Sequence, residues 1–364
     1  MGGDTSLCEA SELMIELPSL VDLQINGWAG IDFNAPDLTV DAVHHCASEI
    51  KKTGTGLFLP TVVTNDPAAM ERSLAVLADA ASMGSALAGA AMANAATADA
   101  ATTGGARARG PAAFMIAGIH LEGPFISDKD GPRGAHPREY VSPVSLDVLE
   151  RLYRASCGLL KIVTFAPEVA CSDQLIDWCV RRGVIAAIGH TGADTAQIRR
   201  ACALGARMST HLGNAISLML PRHPNPIWDQ LAEDSLAASC IADGHHLPVS
   251  VLKVMARVKG KDLILVSDAT KFGGMPPGIY DTLIGGRVEL DGAGRLSMVG
   301  GGGALAGAAR SLSNGVFYGM HKGLWDLKSG WFAASGRPAR LLGIKKIPGK
   351  VLVDPGSGSL EIIG

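Results

Sequence analysis

No two of the seven cysteines (Cys8, Cys46, Cys157, Cys171, Cys179, Cys202, Cys240) stand in a CxxC spacing, and their number is odd. That pattern suits reduced core residues of a cytoplasmic protein, not a disulfide framework. Basic charge in excess is also lacking: the net charge is −3 and no block of like charge occurs, so nothing marks a nucleic-acid partner. No uninterrupted apolar run reaches the roughly 18 residues of a membrane span. The first residues, MGGDTSLCEASE, are acidic and lack the basic and apolar regions of a secretory signal. Met1-Gly2 followed by Ser6 fits an N-myristoylation pattern, but the pattern is too short to be adopted. A Gly-rich phosphate fingerprint is missing after the first strand, and the Gly300–Gly303 run has no Gly-Lys-Ser behind it, so a flexible loop is expected there.

What is present is an alternation. At 364 residues the chain can form one α/β barrel of ~250 residues with appendages, or two domains. Apolar strand-like runs (LVDLQI, TGLFLPTVV, FMIAGIHLE, LLKIVTF, VIAAIG, ARMST, SLAASCIA, KDLILVS) alternate with helix-like segments. The latter include TVDAVHHCASEIKK, with Thr39 as N-cap, and DTAQIRRACALGA. Polar punctuation follows the strands only: Glu122, Glu168, His190, His211, Asp243 and Asp268. A barrel of parallel strands collects such residues on its carboxyl-terminal rim. His190 and His211 end successive strands one repeat apart, which places both imidazoles on that rim. For each histidine the alternative is a hydrogen-bonding strand cap. NAISLMLPRHPNPIWDQ reads as a loop, DGAG as a hairpin turn, and GGGGALAGAARSLSNGVFYGMHKG (300–323) and SGWFAASGRPARLLGI (329–344) as two helices. The hairpin suggests a small β appendage, and the first and last segments, both β-like, are expected to share it.

The rim residues carry a chemistry. Glu122, His190 and His211 form a one-carboxylate, two-histidine set, the usual ligand count of a catalytic zinc with an open position. Such a site lowers the pKa of a bound water to about 7. Asp268 is the candidate base and acid, or else a capping aspartate. His136, in a Gly/Pro-rich loop, is a candidate to polarise the substrate carbonyl, or a surface histidine. On the first strand Gln24 and Asn26 stand where two-metal barrel hydrolases often carry His-x-His. Amides are much weaker ligands for zinc or iron than imidazoles, so one divalent ion per chain is expected, Zn2+ first and Fe2+ as the alternative.

The segments DLQINGWAGIDF, HLEGPFIS with GAHP, IGHTGADTAQI, STHLGNAI, IADGHHL, LILVSDAT and ALAGA resemble the N-acetylglucosamine-6-phosphate deacetylases of the amidohydrolase superfamily. They fall in order over most of residues 21–310. The resemblance implies a distorted (β/α)8 TIM-type barrel with a small β-sandwich, usually as a homodimer. By position it implies Glu122, His190 and His211 as metal ligands and Asp268 as acid/base. Ala135, His136, Asn214, Ala215, Leu305, Ala306 and Gly307 would line the sugar and acetamide. Arg222 would contact the phosphate, a role that suits a guanidinium fork, and His246 would also reach the substrate. Departures are the short segment before the first barrel strand, the low-complexity insertion at 81–113, Gly213, KFGGMPPG after Asp268, and His245 beside His246.

The expected organisation is therefore residues 1–19 and 346–364 as two parts of a small β domain, incomplete or rebuilt. Residues 20–345 form the barrel, with a β excursion at about 280–300. The expected activity is metal-dependent deacetylation of a small-molecule amino sugar phosphate, in the cytoplasm, with no nucleic-acid or membrane partner. Hydrolysis of another N-acetyl amino sugar (N-acetylgalactosamine 6-phosphate or an unphosphorylated sugar) is the alternative reading, and a non-catalytic sugar-binding barrel is the reading from another class.

Overall fold

The computed structural model describes residues 14–98, 115–282 and 286–363. Cys8, the Met1-Gly2 motif and residues 99–113 of the insertion lie outside them. Eight parallel strands run in chain order around the centre: β1 Leu20–Ile25, β2 Thr55–Val63, β3 Ile119–Glu122, β4 Leu160–Phe165, β5 Ile185–Ile188, β6 Met208–Ser209, β7 Ala237–Ile241 and β8 Leu263–Val266. Each is hydrogen-bonded to the next. Helices α1 Val40–Lys51, α2 Pro67–Ala98, α3 Leu146–Ala155, α4 Ser172–Arg182, α5 Thr195–Leu204, α6 Pro226–Ala232 and α7 Val249–Lys259 return the chain between strands. The expected α/β barrel is thus the observed fold.

Local sequence explains the helices. Thr39 caps α1 by accepting from the Ala42 amide, and Val43, Cys46, Ala47 and Ile50 recur at helical spacing on its buried face. Asp194 and Gln197 close a capping box on α5. Helix α6 corrects the expected loop at 214–230. The Asn225 side chain accepts from the amides of Ile227 and Trp228, and Pro226 fills the first turn, where a missing N–H does no harm. The run at 114–122 is two strands, Met115–Ile116 and β3, broken at Gly118 with φ +149°.

The barrel is distorted where β1 meets β8. At the rim, Asn26 N–H donates to Ala269 O (2.7 Å) and Asp268 N–H to Gln24 O (2.9 Å). Lower down, the Val21 amide donates to Ala334 O instead (2.8 Å), so a helix end is wedged into the seam. That helix belongs to a segment expected to hold two helices. It holds a strand, Leu305–Ala308, and three helices: α8 Leu312–His321, α9 Leu327–Ala333 and α10 Gly336–Leu341. Fresh caps at Ser311 and Asp326, and the break at Ser335, divide it. The shared β appendage is likewise two separate sheets. Ile15–Pro18 pairs with Lys350–Val353, which pairs with Leu360–Ile363. The DGAG hairpin joins Gly286–Leu290 to Arg295–Met298 in a four-stranded sheet spanning Gly278 to Ala308. Among the described residues, no helix is long and apolar enough to cross a membrane.

Candidate metal centre and active site

Three donors converge over the carboxyl-terminal rim. Glu122 ends β3, while His190 and His211 follow β5 and β6. Their backbones are bent into position, with φ +51° at His190 and +28° at His211. Glu122 Oε1 lies 3.0 Å from His190 Nε2 and 2.8 Å from His211 Nε2, and the two Nε2 atoms are 3.2 Å apart. All three residues are buried. Donors held about 2.0–2.1 Å from one ion stand roughly 3.0–3.4 Å from each other, so this triangle is close to the size of a coordination face.

Proton placement supports a cation in the triangle. His190 Nδ1 is 3.0 Å from Pro132 O, an acceptor only, so Nδ1 carries the proton and Nε2 presents a lone pair. That lone pair faces a carboxylate oxygen and a second imidazole nitrogen. Burial opposes charge on Glu122, yet its close contacts with the two imidazoles hold it well below its ordinary range. Against the same burial, the Glu122 hydrogen bond raises His211 to about 9. The cage therefore favours a positive charge at its centre, a proton or, more strongly, a divalent ion. His136 approaches from the Gly/Pro-rich loop, its ring 4.4 Å from that of His190 and edge-on to it. Glu122, His136 and His190 also place one donor atom each within 4.8 Å of one another. The Glu122–His190–His211 triangle is tighter, with its three donor atoms 2.8–3.2 Å apart. Burial pushes His136 down to about 3, so it is a neutral imidazole, and its buried Nδ1 lacks a hydrogen-bond partner.

The amides of the first strand serve the carboxylates. Gln24 Nε2 donates to Glu122 Oε1 (3.0 Å), and Asn26 Nδ2 donates to Asp268 Oδ1 (2.8 Å). Asp268 is raised to about 6, by burial first and by the Glu122 charge second. The strand Leu305–Ala308 lies beside it through the Ala269–Ala308 bridge. Gly307 there has φ +110°, and a Cβ would come within 2.7 Å of Thr270 Cγ2. Asn214 turns back to donate to His211 O (3.1 Å), and Ala215 packs with Gly134 and His190 around one wall. Ala135 is exposed on the adjoining loop. His246 Nδ1 is held by Asp243 Oδ2 at 2.7 Å. Arg222 is exposed on the 213–225 loop, as are the side chains of Leu218 and Met219.

Two rim carboxylates do not join the triangle. Glu168 accepts from Thr191 Oγ1 (2.5 Å) and from the Gly192 amide (2.6 Å), clamping the turn after His190, while Asp243 holds His246. Sequence reading placed both on the rim but assigned neither a partner. It also gave no role to Pro132, whose carbonyl sets the His190 tautomer. No sequence signal identifies that carbonyl.

No family model matches the chain. The N-acetylglucosamine-6-phosphate deacetylase of Homo sapiens is 32% identical over 344 residues, covering 91% of this chain and 75% of that protein. The Bacillus subtilis (strain 168) enzyme of the same name is 31% identical over 303 residues, 82% of this chain and 68% of that one. An N-acetylgalactosamine-6-phosphate deacetylase of Escherichia coli O157:H7 is 28% identical over 336 residues, 92% and 80% of the two chains. Among solved structures, the Mycobacterium smegmatis N-acetyl-D-glucosamine-6-phosphate deacetylase superposes with a TM-score of 0.78 at 24% identity, over 96% of this chain and 86% of that one. At that identity the likeness speaks for the fold.

Proposed function

The chain belongs to the N-acetylglucosamine-6-phosphate deacetylase family, and on that premise we propose that it hydrolyses N-acetylglucosamine 6-phosphate to glucosamine 6-phosphate and acetate. The observation that carries this reading is the triangle of Glu122, His190 and His211 donors no more than 3.2 Å apart, with Asp268 close enough to feel the charges of Glu122 and His211. These three residues would hold one divalent ion, zinc first. Bound there, the ion would act as a Lewis acid and supply a nucleophile at neutral pH.

The remaining steps belong to the chain's own side chains. Asn26 occupies Asp268 Oδ1, which leaves Oδ2 to take the proton of the attacking water. As the C–N bond breaks, Asp268 passes that proton to the departing amine, so the enzyme ends as it began. A neutral His136 donates an N–H to the acetamide oxygen as charge builds on it. Ala135, Asn214, Ala215 and Leu305 to Gly307 form the walls that orient the acetamide and sugar ring. His246, fixed by Asp243, presents its other nitrogen to the substrate, and Arg222 meets the phosphate. An exposed apolar pair next to Arg222, Leu218 and Met219, supports a homodimer. The described cysteines are all free, which supports the cytoplasm.

The test is acetate release from N-acetylglucosamine 6-phosphate, N-acetylgalactosamine 6-phosphate and N-acetylglucosamine, with zinc or iron supplied. Preference for the first is expected, with Arg222→Ala lowering its kcat/KM at least about tenfold and sparing the unphosphorylated sugar. An unchanged kcat/KM would remove Arg222 from phosphate recognition. The galactosamine ester is included because one relative carries that name. No turnover with metal bound would favour a sugar-binding barrel.

A further inference from the structure

Below the donor triangle, the barrel holds a chain of polar side chains that the proposed chemistry does not use. His120 lies two residues before Glu122 on β3 and is fully buried, so the pleat turns both toward the same face. Its Nδ1 is 3.1 Å from Leu23 O, and its Nε2 is 2.7 Å from Thr164 Oγ1. Thr164 Oγ1 is in turn 2.7 Å from Thr210 Oγ1. The carbonyl can only accept, so His120 Nδ1–H donates to it and Nε2 accepts from the Thr164 hydroxyl. Thr164 Oγ1 is then left to accept from Thr210. For a neutral imidazole, only this one proton arrangement satisfies all three bonds.

Every element that carries a donor touches this chain. Thr210 immediately precedes His211. Gly189, before His190, packs so tightly that a Cβ would lie 2.8 Å from both Thr164 Cγ2 and Thr210 Cβ. The Thr164 carbonyl accepts from the amide of Gly123, the residue after Glu122 (3.1 Å). Leu23, which holds His120, precedes Gln24, which donates to Glu122.

We propose that His120, Thr164 and Thr210 form a positioning layer that sets the spacing of the Glu122, His190 and His211 donors, and through it the affinity and geometry of the metal site. This inference rests on the metal-binding reading of that triangle. The three residues touch neither substrate nor ion, and act through the donors alone.

The experiment is visible-absorption titration of the metal-free full-length chain with Co2+, for wild type, Thr164→Val and Thr164→Ser, with the Tm of each metal-free form. Valine keeps the shape and removes the hydroxyl, so Co2+ affinity should fall about tenfold, the low end of the loss seen when a ligand's own hydrogen-bond partner is removed, with an altered absorption band. Serine should restore affinity to within about threefold and return the wild-type band. A valine variant with a lowered Tm but unchanged affinity and spectrum would overturn the proposal, leaving a core hydrogen bond with no hold on the site. Should the valine variant not fold, Thr210→Val is read by the same two outcomes. A wild-type chain that binds Co2+ but releases no acetate would overturn the proposed activity and leave the positioning layer testable. A wild-type chain that binds no Co2+ overturns both.

Discussion

Asp268 shows how one residue acquires a function from its surroundings. Burial and the Glu122 charge raise it to about 6, close to the pH at which a base can also return its proton. Asp268→Asn should lower kcat by about 100- to 10,000-fold while the protein still binds metal, checked by steady-state kinetics and metal analysis on one preparation. Retained turnover would assign the proton transfer elsewhere. Asp22 is a second buried carboxyl, with a different consequence. Its Oδ1 accepts from the amides of Gln24 and Ser267, but burial dominates and raises it from 3.8 to about 7. A carboxyl raised in the folded state stabilises most below its unfolded pKa, and that stabilisation is lost as pH rises through about 7. Asparagine keeps the shape and cannot ionise. Asp22→Asn should therefore gain on wild type between pH 5 and pH 8, by about 2 °C or more in Tm at the higher pH. A difference in Tm that stays constant with pH would show that Asp22 does not titrate in this window.

Single elements decide which residues can approach the substrate. The strand Leu305–Ala308 belongs to the antiparallel excursion, yet it is tied to the barrel by Thr270 N–H donating to Ala308 O (2.9 Å). Gly307 allows that approach, since its φ of +110° disfavours a side chain and Thr270 fills the space. Gly307→Ala should destabilise by about 1–3 kcal/mol and raise KM for the acetylated sugar, read by thermal melts and initial rates. Unaltered kinetics would remove this strand from the substrate wall. The elements also show what the sequence made legible. Helices α1 and α5 could be read from the Thr39 cap and from apolar spacing because caps and periodicity are local. Helix α6 was missed because Pro and Arg dominate its approach, and its start depends on the Asn225 side chain closing onto two amides. The division of residues 304–344 was not legible because α9 and α10 are short and wedge into the β1–β8 seam, a contact between residues about 310 apart in the chain.

At the scale of the whole molecule, the donor triangle ties β3, β5 and β6 together, so a bound ion stabilises the barrel as well as the chemistry. Removing metal with a chelator should lower the Tm by about 3 °C or more, and excess zinc should restore it, as expected for a ligand present at about 100 times its Kd. A Tm indifferent to chelator would contradict a metal held by three strands. Apart from α6, the repeated strand-then-helix order was legible, and with it the rim on which Glu122, Glu168, His190, His211, Asp243 and Asp268 stand. Alternation is a local property, and parallel strands must all end on one side. Which of those six meet was decided by the tertiary structure. Glu168 turns to Thr191 and Gly192, and Asp243 to His246, while Glu122 crosses to histidines 68 and 89 residues away. His120 bonds to Leu23 and Thr164 over separations of 97 and 44 residues. Strand order determines the side of the barrel on which a residue emerges. Distances of about 3 Å between residues so far apart in the chain are set only by closure of the sheet, its register and the layer packed beneath.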